Sequence, residues 1–67
     1  MDRLNLKGFR VQHGLTQTEM AQKCGVGLST YNAIERGKTD GKVKFWELLK
    51  EEYNLSGEAI CELQRKI

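Results

Sequence analysis

The stretch Leu15–Gly37, LTQTEMAQKCGVGLSTYNAIERG, decides how this chain folds. It predicts two short helices joined by a tight turn. Thr16, followed three residues later by Glu19, is a capping box, a pattern that begins many helices. Gly25 and Gly37 end the two helical runs, because glycine readily adopts the left-handed conformation found after helices.

Apolar residues in this stretch recur at helical spacing and identify the face that each helix buries. Met20, Ala21 and Cys24 share one face of the first helix, and Tyr31 and Ile34 share one face of the second. Two helices joined by a three-to-four-residue turn containing glycine form a helix-turn-helix, a motif of many DNA-binding proteins. The stretch therefore predicts a helix-turn-helix.

Three further helices are predicted around this motif. Residues 3–13 form the first helix, residues 43–53 form the fourth, and a fifth follows Ser56. Asn54 is expected to end the fourth helix in the left-handed conformation. No segment of the chain alternates apolar and polar residues, which is the pattern of a half-buried strand. The chain also has no proline. The prediction is an all-α, compact five-helix bundle forming one domain over residues 1–67.

The fourth and fifth helices carry more apolar residues than a small core needs. The fourth helix is expected to bury Val43, Trp46, Leu49 and Tyr53. The surplus consists of Phe45, Leu48, Leu63 and Ile67. These four either close the core or form an exposed association surface, and the sequence favours neither alternative. In the second case, a weak homodimer through the fourth and fifth helices is expected, formed by this domain itself.

Charge is unevenly placed along the chain. Residues 1–44 carry eight Lys or Arg against four Asp or Glu, whereas residues 45–67 carry three against five. A basic N-terminal part and an acidic C-terminal part suit a protein that presents one face to a polyanion. A mixed solvated surface would give the same net charge of +2.

Several functional classes find no support in the sequence. Cys24 and Cys61 are expected to be buried thiols, and His13 is not at ligand spacing from either, so no metal or other cofactor is expected. No nucleophile–base group, paired carboxylates or phosphate-binding glycine loop indicates an enzyme or a small-molecule substrate. No apolar run approaches the about 18 residues that cross a membrane. A cytoplasmic, nucleoid-associated protein is the expectation.

The motif resembles the Cro/phage-repressor (xenobiotic response element type) helix-turn-helix family. The residues that carry the resemblance are Thr16-Gln17-Thr18-Glu19-Met20-Ala21, Gly25-Val26 and Tyr31-Asn32-Ala33-Ile34-Glu35-Arg36-Gly37-Lys38. It extends to positions of the family's later core, namely Val43, Trp46, Leu49, Tyr53, Leu55 and Ile60. The resemblance implies a DNA-binding domain whose recognition helix, about residues 27–36, lies in the major groove.

The function implied is that of a sequence-specific regulator of transcription that binds double-stranded DNA. It would be a repressor or a Cro-like switch protein of a bacterium or phage, binding a two-fold operator as a dimer. The alternative is a protein-interaction module of the same fold, such as an antitoxin or co-regulator, that docks a partner through its fourth and fifth helices.

The resemblance also implies roles for individual residues. Base-reading positions are Gly27, Leu28, Ser29, Asn32 and Ala33. Positions that contact the DNA backbone are Gln17, Thr30, Arg36, Lys38, Lys42 and Lys44, with Gln17 also bracing the base-reading side chains. Arg10 and Glu35 match a buried salt bridge between the first and third helices.

Five positions depart from the family pattern. Gly27 stands where a Ser or Thr often caps the recognition helix, so that cap is expected to be weaker. Leu28 and Ala33 replace long polar readers, so methyl contacts, DNA shape and water are expected to supply more of the specificity. Asp40 would weaken phosphate contact if it faced the DNA. Gly41 replaces a frequent proline, so the loop before the fourth helix is expected to be more mobile.

Overall fold

Five α-helices and no β-strand make up the computed structural model, which describes residues 1–67. The helices are α1 (Leu4–Gln12), α2 (Gln17–Lys23), α3 (Leu28–Glu35), α4 (Val43–Tyr53) and α5 (Gly57–Gln64). α2 packs on α3 and α4, and α1 packs on α3 and α5. The predicted all-α five-helix architecture, with α2 and α3 forming the helix-turn-helix, is confirmed.

Local residues define the starts of α2 and α5 and the end of α4. Thr16 Oγ1 accepts the Glu19 backbone N–H at 3.1 Å, and the Thr16 N–H donates to Glu19 Oε1 at 2.9 Å, which is the predicted capping box of α2. Ser56 Oγ accepts the Ala59 N–H at 3.1 Å and so caps α5. Asn54, with φ of 51°, ends α4 in the left-handed conformation. These caps satisfy backbone groups that a helix end leaves unpaired.

One core gathers apolar side chains from all five helices. Its buried members are Leu6, Met20, Ala21, Cys24, Tyr31, Ile34, Phe45, Trp46, Leu49, Ile60 and Leu63. The inward faces predicted for α2 and α3 are therefore confirmed. The only polar atom of the Trp46 ring is satisfied, because Nε1 donates to the Asp40 carbonyl at 3.0 Å.

The predicted inward face of α4 is partly wrong. Val43 was expected to be buried, but its side chain is 73% exposed. The buried face of α4 is centred on Phe45, Trp46 and Leu49, and the 100° step of a helix turns Val43 away from that face. Phe45 is therefore a core residue rather than surplus.

The four surplus apolar residues do not form one exposed surface. Phe45 and Leu63 are buried in the core, and Leu48 is half-buried beside Gly25. Ile67, which follows the end of α5, is 55% exposed. An association surface made of all four residues is therefore excluded.

The two cysteines have different environments. Cys24 is buried, and burial raises the pKa of its thiol to about 11, so it stays protonated at neutral pH. Cys61 was expected to be buried but is exposed. The reason is that the buried face of α5 contains Ile60 and Leu63, and Cys61 lies one 100° step away from Ile60.

A buried arginine joins the ends of two helices. The Arg3 guanidinium donates to the Ile34 carbonyl in the last turn of α3, to the Thr39 carbonyl in the following loop, and to the Gln64 carbonyl at 3.0 Å at the end of α5. Its backbone N–H also donates to the Glu35 carbonyl at 2.7 Å. A cation at helix C-termini satisfies carbonyls that lack intrahelical partners and complements the helix dipole. Burial lowers the pKa of Arg3, and Asp40 partly offsets this.

Gly37, which follows α3, is expected to be the least replaceable glycine. Its φ is +75°, and a Cβ there would collide with the Met1 carbonyl. We expect Gly37→Ala to lower the free energy of unfolding by about 1–3 kcal/mol in urea denaturation. Gly8→Ala is the control, because open space surrounds Gly8 inside α1. That change should raise the free energy of unfolding by about 0.5–1 kcal/mol. Equal stability of the two variants would contradict the claim that Gly37 is the least replaceable glycine.

Candidate nucleic-acid interface

The five predicted base-reading residues all lie at the surface of α3 or at its start. Gly27 is the N-cap, and Leu28 and Ser29 begin the helix with exposed side chains. Asn32 and Ala33 are half-buried one turn later. Ser29, Asn32 and Ala33 point to the side opposite the buried Tyr31 and Ile34 because of the 100° step between residues. The outward face of α3 is therefore slim, with two polar side chains between small or aliphatic ones.

Four of the predicted backbone contacts are exposed cations without an ion pair. Five Lys or Arg residues form ion pairs, namely Arg3, Arg10, Lys23, Arg65 and Lys66. Of the six others, four are Arg36, Lys38, Lys42 and Lys44, all exposed. An unpaired cation keeps its full charge available for a phosphate, whose counterions it can displace.

These cations lie at both ends of α3. Thr30, Lys42 and Lys44 line one groove of about 580 Å³, between the turn before α3 and the start of α4. Thr39 lines the same groove. The sequence suggested Thr39 only as a possible helix cap, because its place in this groove depends on the path of a loop. At the other end, Arg36 is the C-cap of α3 and Lys38 follows two residues later.

Behind the outward face, a buried ion pair links α1 to α3. Arg10 Nε lies 2.9 Å from Glu35 Oε2, and the two side chains are 12% and 6% exposed. Tyr31 donates its hydroxyl to Glu35 Oε2 at 2.6 Å. Arg10 Nη1 donates to the Leu15 carbonyl at 2.9 Å, just before α2 begins. The pair therefore ties three helices together behind the surface that α3 presents.

Gln17 connects this buried pair to the outward face of α3. Its Nε2 donates to Glu35 Oε1 at 3.1 Å, and its Oε1 accepts from Asn32 Nδ2 at 3.4 Å. The sequence identified Gln17 as a backbone contact that also braces the base readers. The structure places both ends of its amide in hydrogen bonds within the protein.

Comparison with known proteins identifies the family. A family model described as Helix-turn-helix matches residues 6–60, from α1 to α5. The chain belongs to the Cro/C1-type helix-turn-helix family. This helix-turn-helix protein is also similar to an uncharacterised HTH-type transcriptional regulator of Methanocaldococcus jannaschii, with 49% identity over 39 residues. The match covers 58% of this chain and 59% of that relative. No solved structure matches.

The family model and the relative's name both describe a helix-turn-helix. None of its helices has both the length and the apolar character needed to cross a membrane. No group of three or more His, Cys, Asp or Glu side chains is placed to hold a metal ion.

Asp40 does not act as a free negative charge in the basic loop of the helix-turn-helix protein. Lys66 Nζ donates to Asp40 Oδ1 at 3.0 Å, and Arg3 Nη2 lies 3.6 Å from the same oxygen. The hydrogen bond from Lys66 holds the pKa of Asp40 below its usual value. Asp40 therefore joins the loop to the C-terminal residues, where two cations compensate its charge.

The buried carboxylate predicts a loss of stability in acid. Burial alone raises the pKa of Glu35, but hydrogen bonds from Arg10, Tyr31 and Gln17 outweigh it, so the pKa is lowered. A carboxyl whose folded-state pKa lies below its unfolded value stabilises the fold fully above the unfolded value of about 4.3. That contribution is lost as the pH falls through the folded-state pKa.

We therefore expect the free energy of unfolding to decline below about pH 4.3. Glu35→Gln should remove most of this decline, whereas Asp40→Asn, at an exposed carboxyl, should leave most of it. Urea denaturation across this pH range measures both. The same decline in Glu35→Gln and in the unmodified protein would show that Glu35 is not its source.

Proposed function

We propose that this helix-turn-helix protein binds double-stranded DNA sequence-specifically and regulates transcription, with α3 in the major groove. The observation that carries the proposal is the arrangement of charge around a slim helix face. Unpaired cations lie at both ends of α3, with Lys42 and Lys44 in the groove near its start and Arg36 and Lys38 after its end. Phosphates border the major groove on both sides, and cations placed in this way suit both borders.

The residues of the outward face would read bases in different ways. Ser29 and Asn32 are the hydrogen-bonding side chains, because each offers a donor and an acceptor. Leu28 and Ala33 suit thymine methyl groups, and Gly27 lets the backbone approach closely. Thr30 and Gln17 would contact the DNA backbone. With so few polar readers, DNA shape and bridging water would contribute much of the preference.

We further propose that the protein is a repressor or a Cro-like switch protein of a bacterium or phage. It would be cytoplasmic and nucleoid-associated, and it would bind a two-fold operator as a weak homodimer. A groove of about 680 Å³ beside α4 and α5 is the candidate contact, with the exposed side chain of Val43 among several charged residues that line it. The same groove favours the second candidate function, a protein-interaction module that docks a partner such as a toxin or a larger repressor.

Selection of bound duplexes from a random library separates the two functions. A DNA regulator should enrich one sequence pattern. Ser29→Ala should change the preferred base at one position of that pattern and leave the others unchanged. If every duplex binds with the same weak affinity and no pattern is enriched, the interaction module becomes the better account.

A further inference from the structure

The hydrogen bonds around Glu35 fix the orientation of two side-chain amides in succession. An ionised carboxylate can only accept hydrogen bonds. Gln17 must therefore direct Nε2 towards Glu35 Oε1, 3.1 Å away, and turn its own Oε1 towards α3. That oxygen is also only an acceptor, so Asn32 directs Nδ2 towards it at 3.4 Å. The charge on Glu35 thus sets which end of the Asn32 amide faces the protein.

Asn32 keeps one N–H and its Oδ1 free for another partner. Neither group has a hydrogen bond within the protein beyond the one to Gln17. No buried side-chain polar atom lacks a partner, so Asn32 Oδ1 reaches the surface. A donor beside an acceptor on one amide matches the major-groove edge of adenine, which offers the N7 acceptor and the N6 donor.

We propose that Glu35, acting through Gln17, is a positioning residue that holds Asn32 ready to read adenine. This inference rests on the proposed function, and it goes further by naming the base and the residues that set the preference. The Arg10–Glu35 pair then has a second role besides joining the helices. Gln17 acts on the bases through Asn32, in addition to any contact with the DNA backbone.

The test begins with a duplex selected from the random library. Each adenine is replaced in turn by 7-deazaadenine, which lacks N7. At one position the unmodified protein should lose about 5- to 10-fold in affinity, because one of the two hydrogen bonds to that base is removed. Asn32→Ala should be indifferent to the replacement there, and Gln17→Ala should show a reduced loss. Ser29→Ala is the matched control, because it leaves the hydrogen bonds from Glu35 through Gln17 to Asn32 intact. It should show the same loss of affinity on 7-deazaadenine as the unmodified protein.

A double variant tests whether Gln17 acts through Asn32. If it does, adding Gln17→Ala to Asn32→Ala should cost less affinity than Gln17→Ala costs in the unmodified protein, because the two changes share one coupled interaction. Glu35→Gln introduces an amide that can donate to Gln17, so the Gln17 and Asn32 amides can adopt the opposite orientation. It should lose the adenine preference at temperatures where circular dichroism shows it folded.

Different failures have different consequences. If no sequence is enriched, the proposed function fails and the inference fails with it. If a sequence is enriched but no adenine N7 depends on Asn32, the inference alone is overturned. It is also overturned if Gln17→Ala weakens all duplexes equally and keeps the full 7-deazaadenine penalty, which would make Gln17 a backbone contact only.

Discussion

Glu35→Gln should lower the free energy of unfolding by about 3–5 kcal/mol, the cost of breaking a buried ion pair on one side. The substitution keeps the size of the side chain but removes its charge. The Arg10 guanidinium, 12% exposed, would then stay in place without its counter-charge. Tyr31 and Gln17 would also lose the charged acceptor to which they now donate. For 67 residues the total stability is on the order of 3–10 kcal/mol, so this loss is a large share of it.

Urea denaturation at pH 7 measures this effect, and a surface pair provides the control. Glu62 and Arg65 form an ion pair whose side chains are 61% and 65% exposed. Glu62→Gln should change stability by less than about 0.5 kcal/mol, because exposed pairs contribute little. A change below about 0.5 kcal/mol in Glu35→Gln as well would contradict the buried pair.

Replacing Arg36, Lys38, Lys42 and Lys44 together by Ala should nearly abolish DNA binding at physiological salt. Each cation that neutralises a phosphate adds about 0.9 to the slope of log affinity against log salt concentration, so the slope should fall by about 3–4. Affinity should fall for every duplex, while the order of preference among duplexes is kept, because phosphate contacts carry no direct sequence information.

Single substitutions give a matched comparison for this prediction. Lys42→Ala and Lys50→Ala remove the same charge from α4 or its N-cap, and neither lysine has an ion pair. Lys42 lines the groove near the start of α3, whereas Lys50 lines the groove beside α5. Fluorescence anisotropy at several salt concentrations should show a reduced slope for Lys42→Ala only. Equal slopes for the two variants would show that net charge, and not this surface, binds the DNA.

The features that could be predicted from sequence are those that depend on near neighbours. The Thr16–Glu19 capping box and the left-handed Asn54 involve residues within one turn, so the residue types themselves define the helix ends. The inward positions of Tyr31 and Ile34 follow from a single apolar stripe on a short helix. The resemblance then supplied the Arg10–Glu35 pair, which spacing alone would not have identified.

The features that the sequence could not predict depend on contacts between distant parts of the chain. α4 carries apolar residues on two adjacent stripes, and its packing on α2 and α5 decides that Phe45 rather than Val43 is buried. No sequence pattern indicated that Arg3 is buried, because its acceptors lie 31 to 61 residues away. The orientation of Gln17 likewise depends on Glu35 and Asn32, 18 and 15 residues further along.

The central claim is that the outward face of α3 reads bases, and one ratio of affinities tests it most directly. The affinity of the unmodified protein is measured by anisotropy for its selected duplex and for a scrambled duplex of the same composition, at physiological salt. We expect the selected duplex to bind at least about 1,000-fold more tightly, and Ser29→Ala with Asn32→Ala to lower that ratio by about 5- to 150-fold. A ratio near one in the unmodified protein would contradict the claim.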